Sequence, residues 1–282
     1  MEKLQAALQK AREKRAGNGG DETGQYRPAK RANASRLLRP DTSELWATLA
    51  PMQVDKTRLS RRKLVTIDAG HEATAFDMLR TKVLTLLSTN NWKRIAVTSP
   101  APGSGKTTTS ANLAASLARQ LELSILLMDM DMRRPALAEA FMQRGTKSTY
   151  DVLERRIAFA DQAQRIGPNM AVSMNFNAMR DPSDLFLRQR TTEVLDEIDR
   201  TYKPDVMIFD MPPLLVNDDT TAFLSNVDCA LIVVEAGVST LEQVDLCEKE
   251  LASQTNVMGM VLNKCRFNND AYGYYSYSKT YS

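Results

Sequence analysis

Apolar positions along this chain fall into two alternating patterns. Leu123–Asp129, Asp205–Asp210, Ala230–Val234 and Val257–Leu262 are short, nearly unbroken apolar runs, as in strands buried on both faces of a parallel sheet, and Arg94–Ser99 is a β-branched segment of similar length. Between them the period changes to that of a helix. Glu72–Leu87 puts Phe76, Leu79, Val83 and Leu87 on one face, and Thr107–Leu121 carries Ala111, Leu113, Ala114, Leu117 and Ala118 at helical spacing. Ser183–Tyr202, Asp219–Leu224 and Thr240–Gln254 read as further helices. This alternation predicts a doubly wound α/β fold, a mostly parallel sheet with helices on both faces, whose ligands sit beyond the carboxyl ends of the strands.

The N-terminal part is different. Met1–Arg15 spaces Leu4, Ala7, Leu8 and Ala11 among basic residues as a short amphipathic helix, Ala16–Arg36 is polar, and Leu37–Asp68 holds scattered anchors such as Leu45, Trp46 and Leu49. We expect a basic extension over residues 1–66, partly disordered, an α/β domain over 67–265, and a flexible tail over 266–282. Charge supports the division. The whole chain carries +3, but residues 1–63 hold 15 Lys/Arg against 7 Asp/Glu, so the remainder is acidic. Such an arm suits an anionic surface or simple solubilisation equally; a nucleic-acid partner is not expected. Cys229, Cys247 and Cys265 form no C-x-x-C and have only His71 as an imidazole companion, so neither a disulfide framework nor a zinc site is suggested, and a reducing cytoplasm fits. No run approaches the ~20 apolar residues of a membrane span.

Chemistry concentrates at the strand ends. Ser99-Pro100-Ala101-Pro102-Gly103-Ser104-Gly105-Lys106-Thr107-Thr108 follows a strand and opens a helix. Glycines allow successive N–H groups to curl around a phosphate, the helix N-terminus adds its dipole, Lys106 supplies a cation and Thr107 a magnesium ligand. The first position of the usual G-x-x-x-x-G-K-[ST] spacing is Pro100. Met128-Asp129-Met130-Asp131-Met132-Arg133-Arg134 and Phe209-Asp210-Met211-Pro212-Pro213 then set carboxylates and guanidiniums just past two buried strands, the mixture that metal–phosphate chemistry requires. Five of the eight tyrosines, Tyr272, Tyr274, Tyr275, Tyr277 and Tyr281, lie in the last eleven residues, which is no packing pattern.

Together PGSGKT, LLMDMDMRRP and VMIFDMPP resemble the Walker A, A′ and B motifs of the bacterial tyrosine kinases (BY-kinases) of capsule and exopolysaccharide synthesis, a likeness spanning roughly residues 68–282 that extends to Asp181–Leu185, Val216–Asp218, Val261–Lys264 and the tyrosine-rich tail. The resemblance implies a P-loop fold of the MinD/ParA-like class, ATP and Mg2+ as cofactors, and phosphorylation of the tail tyrosines, chiefly between subunits. It implies that Pro102, Gly103, Ser104, Gly105, Lys106, Thr107 and Thr108 contact the phosphates and Asn263 the adenine. Thr107, Asp131 and Asp210 would serve the metal, Asp129 would take the tyrosine proton, and Arg133 would neutralise phosphoryl charge. A homo-oligomer, and a separate membrane-embedded co-polymerase-type activator that holds the cytoplasmic chain at the inner membrane face, complete the picture. One departure stands out: the family's E-x-x-R-x-x-R oligomer motif aligns with Thr74–Arg80, where only Arg80 is kept. The rival readings are a partitioning-type ATPase, whose signature lysine is replaced here by Ala101, and a nucleotide-gated scaffold without phosphotransfer.

Overall fold

The computed structural model describes residues 40–265; the expected helix at Met1–Arg15, the polar stretch Ala16–Arg36 and the tyrosine cluster lie outside the described residues. The strands are β1 (Ala50–Pro51), β2 (Arg94–Thr98), β3 (Ile125–Asp129), β4 (Gln164–Ile166), β5 (Met170–Ser173), β6 (Val206–Asp210), β7 (Cys229–Glu235) and β8 (Asn256–Asn263). The helices are α1 (Pro40–Thr48), α2 (Lys56–Arg61), α3 (Thr74–Asn90), α4 (Lys106–Ala118), α5 (Leu137–Ala140), α6 (Thr149–Leu153), α7 (Pro182–Phe186), α8 (Gln189–Tyr202), α9 (Asp219–Phe223) and α10 (Leu241–Ala252). One sheet runs β1-β4-β5-β3-β6-β2-β7-β8, parallel throughout except for the β4–β5 pair.

The reason the central strands read as unbroken apolar runs is that both faces are covered. Ile95, Val97, Ile125 and Leu127 pack with Val83 and Leu87 of α3 and Leu113 and Leu117 of α4, while Ala96, Leu126 and Met128 pack with Val194, Leu195 and Ile198 of α8 and Cys247 and Leu251 of α10. Helix ends follow local chemistry: Asn91 and Lys203 close α3 and α8 in the left-handed conformation, and Thr240 with Gln243 forms a capping box that starts α10. The single helix expected over Ser183–Tyr202 is two. Arg188 is extended, so Phe186 in α7 packs on Phe223, with ring centroids 5.1 Å apart, while α8 turns Val194, Leu195 and Ile198 toward the sheet.

The division expected at residue 66 does not fall there. Trp46 is 3% exposed, packs in the same apolar cluster as α8, and donates its indole N–H to the Tyr202 carbonyl at 2.8 Å. Ala50–Pro51 pairs with β4, and Leu59 and Leu64 are buried. Asn112 of α4 then ties the following segment down: its amide donates to the Lys63 carbonyl at 2.7 Å, and its carbonyl oxygen accepts from the Val65 N–H at 2.8 Å. Basic surface residues around these few apolar anchors disguise a folded segment as part of the arm. Trp46→Ala should therefore destabilise the protein by about 3–5 kcal/mol, the usual result for a buried aromatic, and chemical denaturation will read it; a change near zero would mean the segment is peripheral.

Candidate active site

The phosphate-binding loop grows out of β2 because Thr98 is the last residue whose backbone the neighbouring strands hold. Gly103 and Gly105 then take φ of 84° and 89°, a region glycine enters without penalty, and Gly105 is the N-cap of α4. Ser99 and Ser104 both donate their hydroxyls to the Ala101 carbonyl, at 2.7 and 3.0 Å, which pins the loop's first half.

Parallel register brings the acids to the loop. Asp129 of β3 and Asp210 of β6 are direct partners across adjacent strands, and Asp210 also sits beside Val97 of β2. Thr107 donates its hydroxyl to Asp210 Oδ2 at 2.6 Å, and Ser110, one turn further along α4, donates to Oδ1 at 3.0 Å. Lys106 is 7% exposed. Its charge pulls both Asp210 and Asp131 downward, yet burial outweighs that pull in each: Asp131 stays raised, and Asp210 is pushed up to about 6. Asp131 accepts the Arg134 N–H at 3.1 Å. Lys106, Thr107, Asp131, Arg133 and Arg134 line one cavity of about 410 Å³, with Gly103 and Gly105 on one wall and Pro212, Pro213 and Asn217 on another. Pro102 and Thr108 complete the lining.

Two of the expected site residues are held by further protein partners. Asp129 is fully buried and does not line the cavity; its Oδ2 takes a 3.4 Å hydrogen bond from the Leu137 N–H, and its Oδ1 has no partner. Burial first, then the charges of Asp210 and Asp131, hold its carboxyl well above the usual range. Asp131 reaches the cavity and Asp129 does not, so of the two it is the acid placed to meet a bound substrate. Arg133, expected to neutralise phosphoryl charge, lines the cavity while forming a forked ion pair with buried Asp219 at 2.6 and 3.0 Å and donating to the Arg180 carbonyl. Asn263 reaches the loop itself, donating to the Ser104 carbonyl at 2.9 Å. Arg80, the remnant of the oligomer motif, is spent within its own subunit on Asp77 and the Ser116 carbonyl.

Among the described residues no group of three or more His, Cys, Asp or Glu side chains is arranged to hold a metal. A hydroxyl–carboxylate pair beside a phosphate cradle suits magnesium all the same, because that ion takes one or two protein ligands and completes its shell with phosphate oxygens and water.

Raised acids leave a mark on stability. Asp210 binds its proton more tightly when folded than in the unfolded chain, so folding loses stability as pH rises from about 4 to about 6 and nothing further above. We expect wild type to lose on the order of 3 kcal/mol relative to Asp210→Asn across that window, measured by urea unfolding in the presence of chelator. Parallel curves for the two proteins would contradict it.

Sequence reading missed Ser110, Asp219, Glu235 and Lys264. Ser110 had a usable signal, lying one helical turn beyond Lys106 and Thr107; the others depend on partners far away in the chain.

The chain matches the family model described as the CobQ/CobB/MinD/ParA nucleotide binding domain over residues 95–277. It is 29% identical over 186 residues to tyrosine-protein kinase YwqD of Bacillus subtilis, covering 65% of this chain and 77% of that one. It is 30% identical over 182 residues to the putative tyrosine-protein kinase EpsB of Ralstonia solanacearum, covering 64% of this chain but only 24% of that protein's length. Among solved structures, the kinase domain of Escherichia coli tyrosine kinase ETK superposes with a TM-score of 0.65 at 26% identity, over 75% of this chain and 82% of that one.

Proposed function

The chain belongs to the CobQ/CobB/MinD/ParA nucleotide-binding domain family, and from that premise we propose that it is an ATP-dependent protein-tyrosine kinase of the bacterial type, whose acceptors are the tyrosines of its own C-terminal segment. One observation carries the choice of a kinase over a nucleotide switch. β8 runs parallel to β7 and finishes at the phosphate loop, where Asn263 bonds the Ser104 carbonyl, so the tyrosines follow in sequence from a strand end beside that loop. Seventeen residues reach up to roughly 55 Å when extended, far enough to serve the cavity of a neighbouring subunit.

Lys106 and the loop N–H groups hold the β- and γ-phosphates of ATP. Thr107 and Asp210, with Asp131 beside them, are the residues that would hold magnesium, which when bound offsets phosphate charge. Asp131 takes the proton from the acceptor tyrosine, whose hydroxyl has a pKa near 10 and needs a base at neutral pH. Asp129, fully buried, braces the segment that carries Asp131: its own backbone carbonyl accepts from Asn175 at 2.8 Å. Among the described residues no helix is long and apolar enough to cross a membrane. A Klebsiella pneumoniae relative is named a putative tyrosine-protein kinase in the cps region, and the motif resemblance supports a role in regulating synthesis or export of a capsular or exopolysaccharide polymer, through a separate membrane-embedded activator and as a homo-oligomer at the inner membrane face. The test is mass spectrometry of the tail after incubation with Mg-ATP, with and without an activator's cytoplasmic fragment.

A further inference from the structure

A loop that turns its N–H groups inward toward a phosphate must turn its carbonyls outward, and each outward carbonyl requires a donor. Two consecutive carbonyls of this loop find theirs at the end of β8. Lys264 Nζ donates to the Gly103 carbonyl at 2.6 Å, and Asn263 Nδ2 to the Ser104 carbonyl at 2.9 Å. The approach is close: a Cβ on Gly105 would lie 2.2 Å from Asn263 Nδ2 and would push that amide off the Ser104 carbonyl. Lys264 is itself oriented. Glu235, the last residue of β7, accepts from its ammonium at 3.1 Å, and the Ala236 N–H donates to the Asn263 carbonyl at 2.9 Å, which locks the two strand ends together. Lys264 adopts φ of 58°, a left-handed conformation that non-glycine residues rarely enter, and it does so where its side chain returns to the loop.

We propose that Lys264 is a positioning residue: with Glu235 as its counter-charge it holds the Gly103 carbonyl out of the phosphate cradle and thereby sets the affinity for nucleotide. The inference rests on the reading of the loop as an ATP site. Lys264 supplies one charge-assisted bond to the loop, and Glu235 directs that bond without facing the phosphates. Losing the pair lowers affinity by disordering the loop, and leaves the chemistry of Lys106, Asp131 and Asp210 in place once nucleotide is bound.

The experiment measures the dissociation constant of the full chain for a non-hydrolysable ATP analogue with magnesium, by calorimetry, alongside kcat for tyrosine phosphorylation at saturating ATP. Lys264→Met should weaken binding about tenfold, the effect of one charge-assisted hydrogen bond, with kcat within about twofold of wild type. Glu235→Gln should weaken binding by a smaller factor, and the double variant should bind no worse than Lys264→Met, because both act through one contact. Lys264→Arg, which keeps a donor, should recover most of the loss. Wild-type affinity in Lys264→Met would overturn the proposal, and so would a weak Lys264→Met beside an unaffected Glu235→Gln, which would make Lys264 a direct ligand. A chain that binds the analogue but never phosphorylates tyrosine would end the kinase reading while leaving the affinity test decisive.

Discussion

Lys106→Met should reduce tyrosine phosphorylation by about 10² to 10³, the loss that follows removal of one preorganised charge from a developing phosphoryl or oxyanion site. The expectation follows from where the lysine lies. It is 7% exposed, so little water competes for its charge, and it is the cation that draws Asp131 and Asp210 down against the cost of burial. Without it both acids move further toward their protonated forms, and protonated carboxyls neither attract a metal nor accept a proton. The variant should thus lose magnesium-dependent nucleotide binding together with turnover. Equal kcat in mutant and wild type at saturating ATP would show that the ammonium does not meet the phosphates.

The second large effect separates two acids that lie two residues apart. Asp131→Asn should cost between about 10² and 10⁴ in kcat, the range for loss of a general base. Asp129→Asn should cost far less, because the Asp129 carboxyl is fully buried and has no access to the cavity. It should also leave the fold intact or steadier, since the repulsion from Asp210 and Asp131 disappears. The assay is single-turnover phosphorylation at fixed, saturating ATP, with thermal unfolding as the companion measurement. If Asp129→Asn were the more damaged enzyme, the assignment of the base to Asp131 would be wrong.

How much of this was legible beforehand depends on whether the signal was local. β2, α4, β3 and β6 are visible because burial on both faces writes an apolar run into consecutive residues, and helix boundaries are punctuated by caps such as Thr240. The outer strands left no such trace. Ala50–Pro51 is two residues long, and Gln164–Ile166 is only half-buried, so neither carries an apolar run. Trp46 and Leu49 likewise look like stray anchors until α8 supplies the surface they bury against. In the site, residue types and strand-end positions identified Lys106, Thr107, Asp131 and Asp210. Their partners were not legible: Arg133 finds Asp219 and Lys264 finds Gly103 only once the sheet has brought distant strand ends into register. The burial of Asp129 was not legible either, since its motif position says nothing of it.

Phosphate mapping on the intact chain tests the central claim most directly. Incubated with Mg-ATP, alone and with an activator's cytoplasmic fragment, the protein should acquire phosphotyrosine within Tyr272–Tyr281 in at least one condition, and Lys106→Met should acquire it at least about a hundredfold more slowly. Steady hydrolysis of ATP with all five of Tyr272, Tyr274, Tyr275, Tyr277 and Tyr281 unmodified in both conditions would contradict it, and would make the chain a nucleotide switch.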